Sequence, residues 1–267
     1  MMLSSPLRWL ERSLLALMLV LVSACSSLVI LPSAEPDAQV LSPAQAQAAW
    51  GRVLSQYVKE RGLVDFAGLA KSPQDLHAYV RYVATTKVEQ LATPNEQLAH
   101  HINAYNALSM FTVIDLGLPA SNASLASRYR FFIGRKHQIG GQTQSLYDYE
   151  NLVIRKLGEP RIHWALNCSA LSCPVLPRAP FTAQMLDAEL ERESRAFFAN
   201  SQNLRVDHNT RTVFLSEILN FFPEDFVPTA APNLIAYVKR YSPMPLDESY
   251  RVQFIPYDWT IAHWRPY

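Results

Sequence analysis

The side chains best suited to chemistry cluster in the middle of the chain. His163, Asn167, Cys168 and Cys173 lie within one short segment. An imidazole beside a thiol lowers the thiol pKa and stabilises the thiolate, which is the pairing of a cysteine nucleophile with a histidine base. We therefore predict His163 as a base or acid and Cys168 as a nucleophile.

The spacing of these two residues limits that prediction. The segment 161–167 is predicted to be a strand, and residues five apart on a strand point to opposite faces and lie roughly 16 Å apart. His163 and Cys168 would then meet only if the strand ends near Leu166 and the chain turns back. A second hypothesis places His163 against polar side chains of other elements, which are Asn103, Asn106, Glu150 and Glu217.

The first 25 residues have the pattern of a bacterial secretion signal. Two arginines precede an apolar run from Leu14 to Val22, which is shorter than the about 20 residues that span a bilayer. The segment 22–25 resembles a lipobox, so residues 1–24 are predicted to be a signal peptide removed before Cys25, and Cys25 to be acylated. By resemblance to sorted bacterial lipoproteins, Ser26 rather than aspartate at the next position favours the outer membrane, on its periplasmic side. Ordinary secretory cleavage, with Cys25 incidental, is the alternative.

Composition and charge exclude several classes of protein. Hydrophobic residues make up 49% and charged residues 18% of the 267 residues, which excludes disorder and a coiled coil. Loss of residues 1–24 lowers Lys+Arg from 24 to 22 and Asp+Glu from 23 to 22, so the mature chain has no net charge. Without basic runs, such a surface is not expected to bind nucleic acid. The predicted partner is the lipid bilayer, reached through Cys25.

The cysteines allow three interpretations. With Cys25 acylated in an oxidising compartment, Cys168 and Cys173 are the remaining pair, so a structural disulfide is the first. A free thiol nucleophile at Cys168 is the second. A metal site with His163 is the third, but no fourth ligand is evident, so neither a metal nor a cofactor is predicted.

Local patterns predict an α+β fold in a single domain over residues 42–267, after a tether over residues 25–41. Ser42, Ser72 and Thr93 each precede a proline at the start of a helical pattern, as helix caps do. A helix over about 95–116 is apolar on most sides and is therefore expected to be central and buried. Residues 146–157 are also predicted to be helical. Later strands are expected to form a mixed, mainly antiparallel sheet against the helices.

Five motifs in order resemble the domain of unknown function 547 family, over about residues 66–259. His101 is a departure, because tryptophan is expected there. The resemblance implies an architecture and candidate positions, and the family has no established activity. The motifs are 101–108 (HINAYNAL), 145–151 (SLYDYEN), 161–168 with 172–174 (RIHWALNC and SCP), 213–216 with Asp225 and Phe226, and 257–259 (YDW).

Two functions remain open. The first is an envelope lipoprotein whose polar pocket around His163, Cys168 and Asn103 handles a small molecule, glycan or peptide. The alternative is a hydrolase or acyl transferase, by analogy with papain-like and transglutaminase-like folds, in which Asn103 or Asn106 orients the substrate. Catalysis would use His163, Cys168, Asn103 and Glu150, and the predicted binding residues are Tyr105, Asn106, Trp164 and Asn167. Structural roles are the competing interpretation: a buried His163, an ion pair between Glu150 and Arg155, and an anchor at 257–259.

Overall fold

The computed structural model describes residues 27–32 and 41–265, so the predicted signal and Cys25 lie outside the described residues. The α+β class in one domain is confirmed, but the strands form two small mixed sheets where one was expected. The α-helices are α1 (Pro43–Tyr57), α2 (Phe66–Lys71), α3 (Gln74–Thr85), α4 (Pro94–Asp115), α5 (Leu125–Tyr129), α6 (Leu146–Asp148), α7 (Leu186–Ala199), α8 (Ile218–Phe221), α9 (Pro223–Phe226) and α10 (Leu234–Val238).

Helix α4 is the central helix that the sequence predicts. It starts with a capping box, in which Thr93 Oγ1 accepts from the backbone N of Glu96 and the Glu96 carboxylate accepts from the backbone N of Thr93. All its residues from Ala99 to Val113 are buried. A helix surrounded on all sides must satisfy its polar side chains inside the protein, which decides what Asn103 and Asn106 do.

The other two predicted caps differ in outcome. Ser42 and Gln45 form the expected capping box at the start of α1. The prediction for Ser72 is wrong, because this residue ends α2: its backbone N donates to the carbonyl oxygens of Gly68 and Leu69. Helix α3 then follows Pro73 without a side-chain cap. A Ser-Pro pair can thus mark the end of one helix when the next helix begins directly after it.

The first sheet has the order β1–β2–β3, with β1 (Leu28–Val29) parallel to β2 (Arg135–Ile139) and β2 antiparallel to β3 (Gln142–Ser145). The β2–β3 turn is Gly140-Gly141, as the sequence suggests, and both glycines have positive φ. Strand β1 lies within the predicted tether. This part of that prediction needs correction, because Ile30 is buried in the main core and its backbone N donates to Lys136 O.

The second sheet has the order β4–β5–β6, where β4 (Leu204–Asp207) and β5 (Thr212–Ser216) form a hairpin and β6 (Arg251–Ile255) is parallel to β5. It covers a second hydrophobic cluster that includes Trp164, Phe226 and Tyr237, whereas α1 to α4 surround the first. The segments that carry the candidate site lie between these two clusters.

The predicted strand over 161–167 is wrong. Pro160–Trp164 is a 3-10 helix, whose first turn is capped by the Glu159 carboxylate accepting from Arg161 N, 2.9 Å away. His163 and Cys168 therefore do not lie on one strand, and the expectation that they point to opposite faces does not hold. The predicted helical stretch over 146–157 is confirmed as α6 followed by a π-helix (Tyr149–Ile154) and a 3-10 helix (Arg155–Leu157). Within the described residues, no helix has the length and apolar character required to cross a bilayer.

Candidate functional site

The imidazole of His163 is held by a carboxylate from a distant part of the chain. Its Nε2 lies 2.7 Å from Asp225 Oδ2, and the ring stacks on Phe222 with 4.5 Å between ring centroids. His163 is buried, with 3% of its surface exposed. A carboxylate at one ring nitrogen and a stacked ring on one face fix the orientation of the imidazole, as an acid or base in catalysis requires.

Arg155 holds the same carboxylate from the other side. Its Nε and Nη2 donate to Asp225 over 2.6 and 2.9 Å, its Nη1 donates to Asn151, and its guanidinium lies over the Phe222 ring. Partial burial alone would raise the pKa of Asp225, but hydrogen bonds from His163 and Arg155 outweigh burial and lower this pKa to about 2. Asp225 is therefore ionised at neutral pH.

Glu150 forms a second polar pair with the central helix. The Tyr105 hydroxyl donates to Glu150 Oε2 over 2.7 Å. Burial raises the pKa of the Glu150 carboxyl, and the nearby charges of His163 and Arg155 and the Tyr105 hydrogen bond offset only part of the rise. Burial also raises the pKa of Tyr105 well above its usual range, so its hydroxyl remains a donor. Glu150 thus keeps its proton to higher pH than an ordinary glutamate.

His163, Glu150 and Tyr105 line one small chamber with a volume of about 80 Å³, and Asp225 holds His163 from outside this lining. This space accommodates a few water molecules or one functional group of a larger ligand. Apolar walls around it strengthen the electrostatic interactions inside. The lining consists of the polar residues Tyr105, Glu150, His163 and Tyr257, the cysteines Cys168 and Cys173, and Phe132, Leu166, Pro174, Ile218, Phe221, Phe222 and Trp259.

Cys168 and Cys173 form a disulfide at the edge of this chamber. The Tyr257 hydroxyl lies 3.2 Å from the Cys168 sulfur and 3.0 Å from the Cys173 sulfur. The structural disulfide of the sequence analysis is thus present in this structure. In the bonded form Cys168 has no thiol, so a nucleophilic role for Cys168 requires the reduced protein and stays a prediction.

Two buried amides position the segment between His163 and the disulfide. Asn106 donates to Ala165 O and accepts from Asn167 N, over 3.0 and 2.7 Å. Asn167 accepts from Ser169 N and donates to Pro174 O, each over 2.7 Å. These amides were predicted to contact a ligand. Neither is among the residues that line the chamber, and their hydrogen bonds hold the backbone, while Asn167 also borders a different cavity of about 530 Å³.

Asn103 does not lie at the chamber. It brackets the backbone of Phe181, donating to its carbonyl oxygen over 2.8 Å and accepting from its N over 3.0 Å, and it also accepts from Trp50 Nε1. It borders a different cavity of about 190 Å³. Of the four predicted catalytic residues, the structure brings together three, and it separates Asn103 from them.

The side chains of Trp164 and His101 are packed in the protein interior and do not line the chamber. Trp164 has no exposed surface, and its indole N donates to the Tyr237 hydroxyl within the second hydrophobic cluster. His101 Nδ1 lies 2.7 Å from the Tyr149 hydroxyl, and burial lowers the His101 pKa to about 4. Neither ring is among the residues that line the chamber.

Sequence reasoning did not assign Asp225, Arg155 and Tyr257 to the site, although each lies in or near a motif that it quoted. The expected ion pair of Glu150 with Arg155 is replaced by pairs of Arg155 with Asp225 and Glu224. The Asp225 side chain has no local spacing relation to His163 that could have revealed the contact. Within the described residues, no group of three or more His, Cys, Asp or Glu side chains is arranged to hold a metal ion.

Comparison with known proteins supports the predicted domain family. Residues 88–198 match the model of the family described as "Protein of unknown function, DUF547". The matched segment contains Glu150, His163 and both cysteines of the disulfide, and it ends before Asp225. Neither the search of curated proteins nor that of solved structures gave a match.

Proposed function

We propose that the protein is a lipid-anchored protein of the bacterial cell envelope that performs acid–base chemistry on an envelope ligand in the His163 chamber. The proposal rests on one observation: His163, oriented by Asp225, and the Glu150–Tyr105 pair line the same chamber. The surroundings raise the pKa of Glu150 and lower that of Asp225, and neighbouring carboxyl groups whose pKa values are moved in opposite directions are typical of sites of acid–base chemistry.

His163 acts as the base in this proposal. Its Nε2 is hydrogen-bonded to Asp225, and its Nδ1 makes no hydrogen bond to any part of the chain that the structure describes. An ionised Asp225 stabilises the imidazolium that forms when Nδ1 takes a proton from water. The resulting hydroxide adds to an electrophilic carbon of the ligand, as in hydrolysis, and no covalent enzyme intermediate is needed.

Glu150 acts as the acid. Burial raises the pKa of its carboxyl and so favours the protonated form, and in this proposal the proton passes to the atom that leaves when the bond in the ligand breaks. Tyr105 holds the carboxyl in place. Exchange with solvent then returns a proton to Glu150 and removes one from His163.

The chamber's aromatic rim favours a glycan or peptide as the ligand. Tyr257 and Trp259 have ring centroids 4.5 Å apart, Phe221 stacks on Trp259 at 6.0 Å, and Phe221 is exposed. Aromatic faces bind the apolar faces of sugars and side chains. Since the chamber itself is small, it would take only the bond to be cleaved.

A cysteine-dependent hydrolase or acyl transferase is the second candidate, because Cys168 lines the same chamber as His163. It needs a reduced Cys168. Labelling of thiols in the oxidised mature protein separates the two candidates: the acid–base route predicts no accessible thiol and full activity, whereas the cysteine route predicts activity only after reduction.

The proposed activity is tested by incubating the purified protein with fragments of envelope polymers and following bond cleavage. We expect His163→Asn to lower kcat/KM by at least about 100-fold, since a general base contributes about 10²–10⁴-fold. His101→Asn is the matched control, because His101 is also a buried imidazole with one side-chain partner, here the Tyr149 hydroxyl. This substitution should change kcat/KM far less. Equal losses in both variants, or no cleavage by the unsubstituted protein, would overturn the proposal.

The proposed location has its own test. The mass of the protein purified from bacterial membranes should correspond to a chain that begins at Cys25 and carries diacylglycerol. A chain cleaved elsewhere without lipid would overturn the anchor and leave the chemistry of the chamber untouched.

A further inference from the structure

Several exposed apolar side chains lie around strand β1. They include Leu125, with 79% of its surface exposed, Leu31 with 59% and Leu28 with 52%. Apolar side chains that gather on one surface mark a site of contact with a partner or a membrane. We define the β1 face as the exposed apolar residues of the edge strand β1, of the residue Leu31 after it and of the helical stretch before β2, which are Leu28, Val29, Leu31, Leu125, Tyr129 and Ile133.

The chain brings these residues together through β2. Leu125 and Tyr129 lie one turn apart on α5, and Ile133 follows in the π-helix Arg130–Gly134. The Tyr129 ring packs beside Gly134, the residue before β2. Arg135, the first residue of β2, pairs with Leu28, so the helical residues and β1 adjoin at this point.

The spacing from Cys25 to β1 brings this face close to the lipid anchor. Leu28 lies three positions after Cys25, and an extended chain spans at most about 3.6 Å per residue, hence about 11 Å. Ile30, two residues further, is 5% exposed and belongs to the main core, so β1 is fixed to the domain. An acylated Cys25 would therefore hold the domain itself against the headgroups.

We propose that the β1 face lies on the lipid bilayer and orients the domain there, which rests on the acylation of Cys25 in the proposed function. The apolar side chains enter the interface between headgroups and acyl chains. Arg130, exposed in the same helical stretch, meets the phosphates of the headgroups. The predicted tether is then too short to lift the domain from the membrane.

This orientation has a consequence for the chamber. Phe132 lines the chamber, and its neighbour Ile133 belongs to the β1 face. Arg128 of α5 lies over the ring of Trp259 on the chamber's rim. The helical stretch over 125–134 thus carries residues of the β1 face and also contacts the chamber's lining, so in this orientation the protein would act on a ligand at the membrane surface.

The test uses the full chain, purified from bacterial membranes and reconstituted in phosphatidylglycerol–phosphatidylethanolamine vesicles. Leu125→Cys carries a fluorophore on the β1 face. Met244→Cys is the matched control, since Met244 is also an exposed apolar residue but lies between α10 and β6, two residues before Leu246 of the second hydrophobic cluster. The unsubstituted chain controls for labelling of other thiols. Lipids with a quencher at the top of the acyl chain report contact, and the mass of each sample reports acylation.

We expect at least a twofold loss of fluorescence at position 125 and little at position 244. An acylated chain with equal quenching at both positions, or with none at either, would overturn the β1 face and leave the anchor intact. A chain without lipid on Cys25 would overturn the anchor, and the proposed orientation with it.

Discussion

Nε2 of His163 lies 2.7 Å from Oδ2 of Asp225, although 62 positions separate the two residues in the chain. The contact joins the 3-10 helix Pro160–Trp164 to α9, and Arg155 completes it from the helical stretch over 146–157. Three segments of the chain therefore define one orientation of the imidazole.

Asp225→Asn should weaken the protein at neutral pH, because it replaces charged hydrogen bonds with His163 and Arg155. Such bonds contribute about 1.5–3 kcal/mol each to the free energy of unfolding. Asp225 has a pKa of about 2 in the folded protein, below the ordinary 3.8, so its stabilisation is complete above about pH 4 and is lost as pH falls through 2. Denaturant unfolding of both proteins should show a difference that shrinks from pH 4 to pH 2. A difference that does not vary with pH would contradict the ion-paired Asp225.

The buried histidines should make the protein sensitive to mild acid. Burial lowers the pKa of His100 and His101 to about 4 and that of His137 to about 3. Because the unfolded chain binds protons below about pH 6.5 and the folded protein does not, the free energy of unfolding should fall as pH decreases from 6.5 to 4.

His101→Leu removes one of these groups. It should make the pH dependence between 6 and 4.5 shallower by up to about 1.4 kcal/mol per pH unit, while the lost bond to Tyr149 shifts the whole curve. Denaturant titrations at several pH values measure this slope. Parallel curves for the variant and the unsubstituted protein would refute the assignment.

Asn106→Ala should reduce both stability and activity. It leaves the backbone N of Asn167 and the carbonyl of Ala165 without partners, at about 1–3 kcal/mol for each buried group. The loosened segment runs from His163 to the disulfide, so kcat should fall as well. Thermal unfolding and kinetics together measure the two effects.

Asn103→Ala is a control for Asn106→Ala, because it also removes hydrogen bonds from a buried amide to the backbone, but away from the chamber. It breaks the bonds to Phe181 and should cost similar stability, but it should lower kcat less than Asn106→Ala does. A larger kinetic loss at Asn103 would instead support its predicted role as an orienting group in catalysis.

Replacing both cysteines of the disulfide with serine should destabilise the protein by about 2 kcal/mol, as chain entropy predicts for so short a loop. Under the acid–base proposal, the double variant keeps activity at temperatures where it is folded. Its kcat/KM is compared with that of the unsubstituted oxidised protein. Complete loss in a folded double variant would favour Cys168 as the nucleophile.

Sequence patterns predicted the helix starts at which the interacting residues are close together in the chain. The capping boxes at Ser42 and Thr93 mark true helix starts, because both partners of each cap lie within four residues. Strand β1 escaped prediction, since its two residues are strands only through pairing with residues 135 and 136, far along the chain.

The site shows the same division. Ile162, Trp164 and Leu166 alternate with polar or small residues, as in a strand, and this alternation predicted a strand. The segment instead forms a 3-10 helix, whose first turn is capped by Glu159. His163, Cys168 and Glu150 were predicted as one site and do share a chamber. Asp225 could not be assigned, because only the packing of α9 brings its carboxylate to the imidazole.

In the proposed mechanism His163 and Glu150 act together on one ligand, and a double-mutant cycle measures this cooperation. It measures kcat/KM on a cleaved envelope fragment for His163→Asn, Glu150→Gln and the double variant. Groups that act as a unit give non-additive losses. We predict that each single substitution lowers kcat/KM by about 100-fold or more, and that the double variant loses little beyond the larger single loss. Losses that multiply, or a Glu150→Gln variant as active as the unsubstituted protein, would contradict the claim.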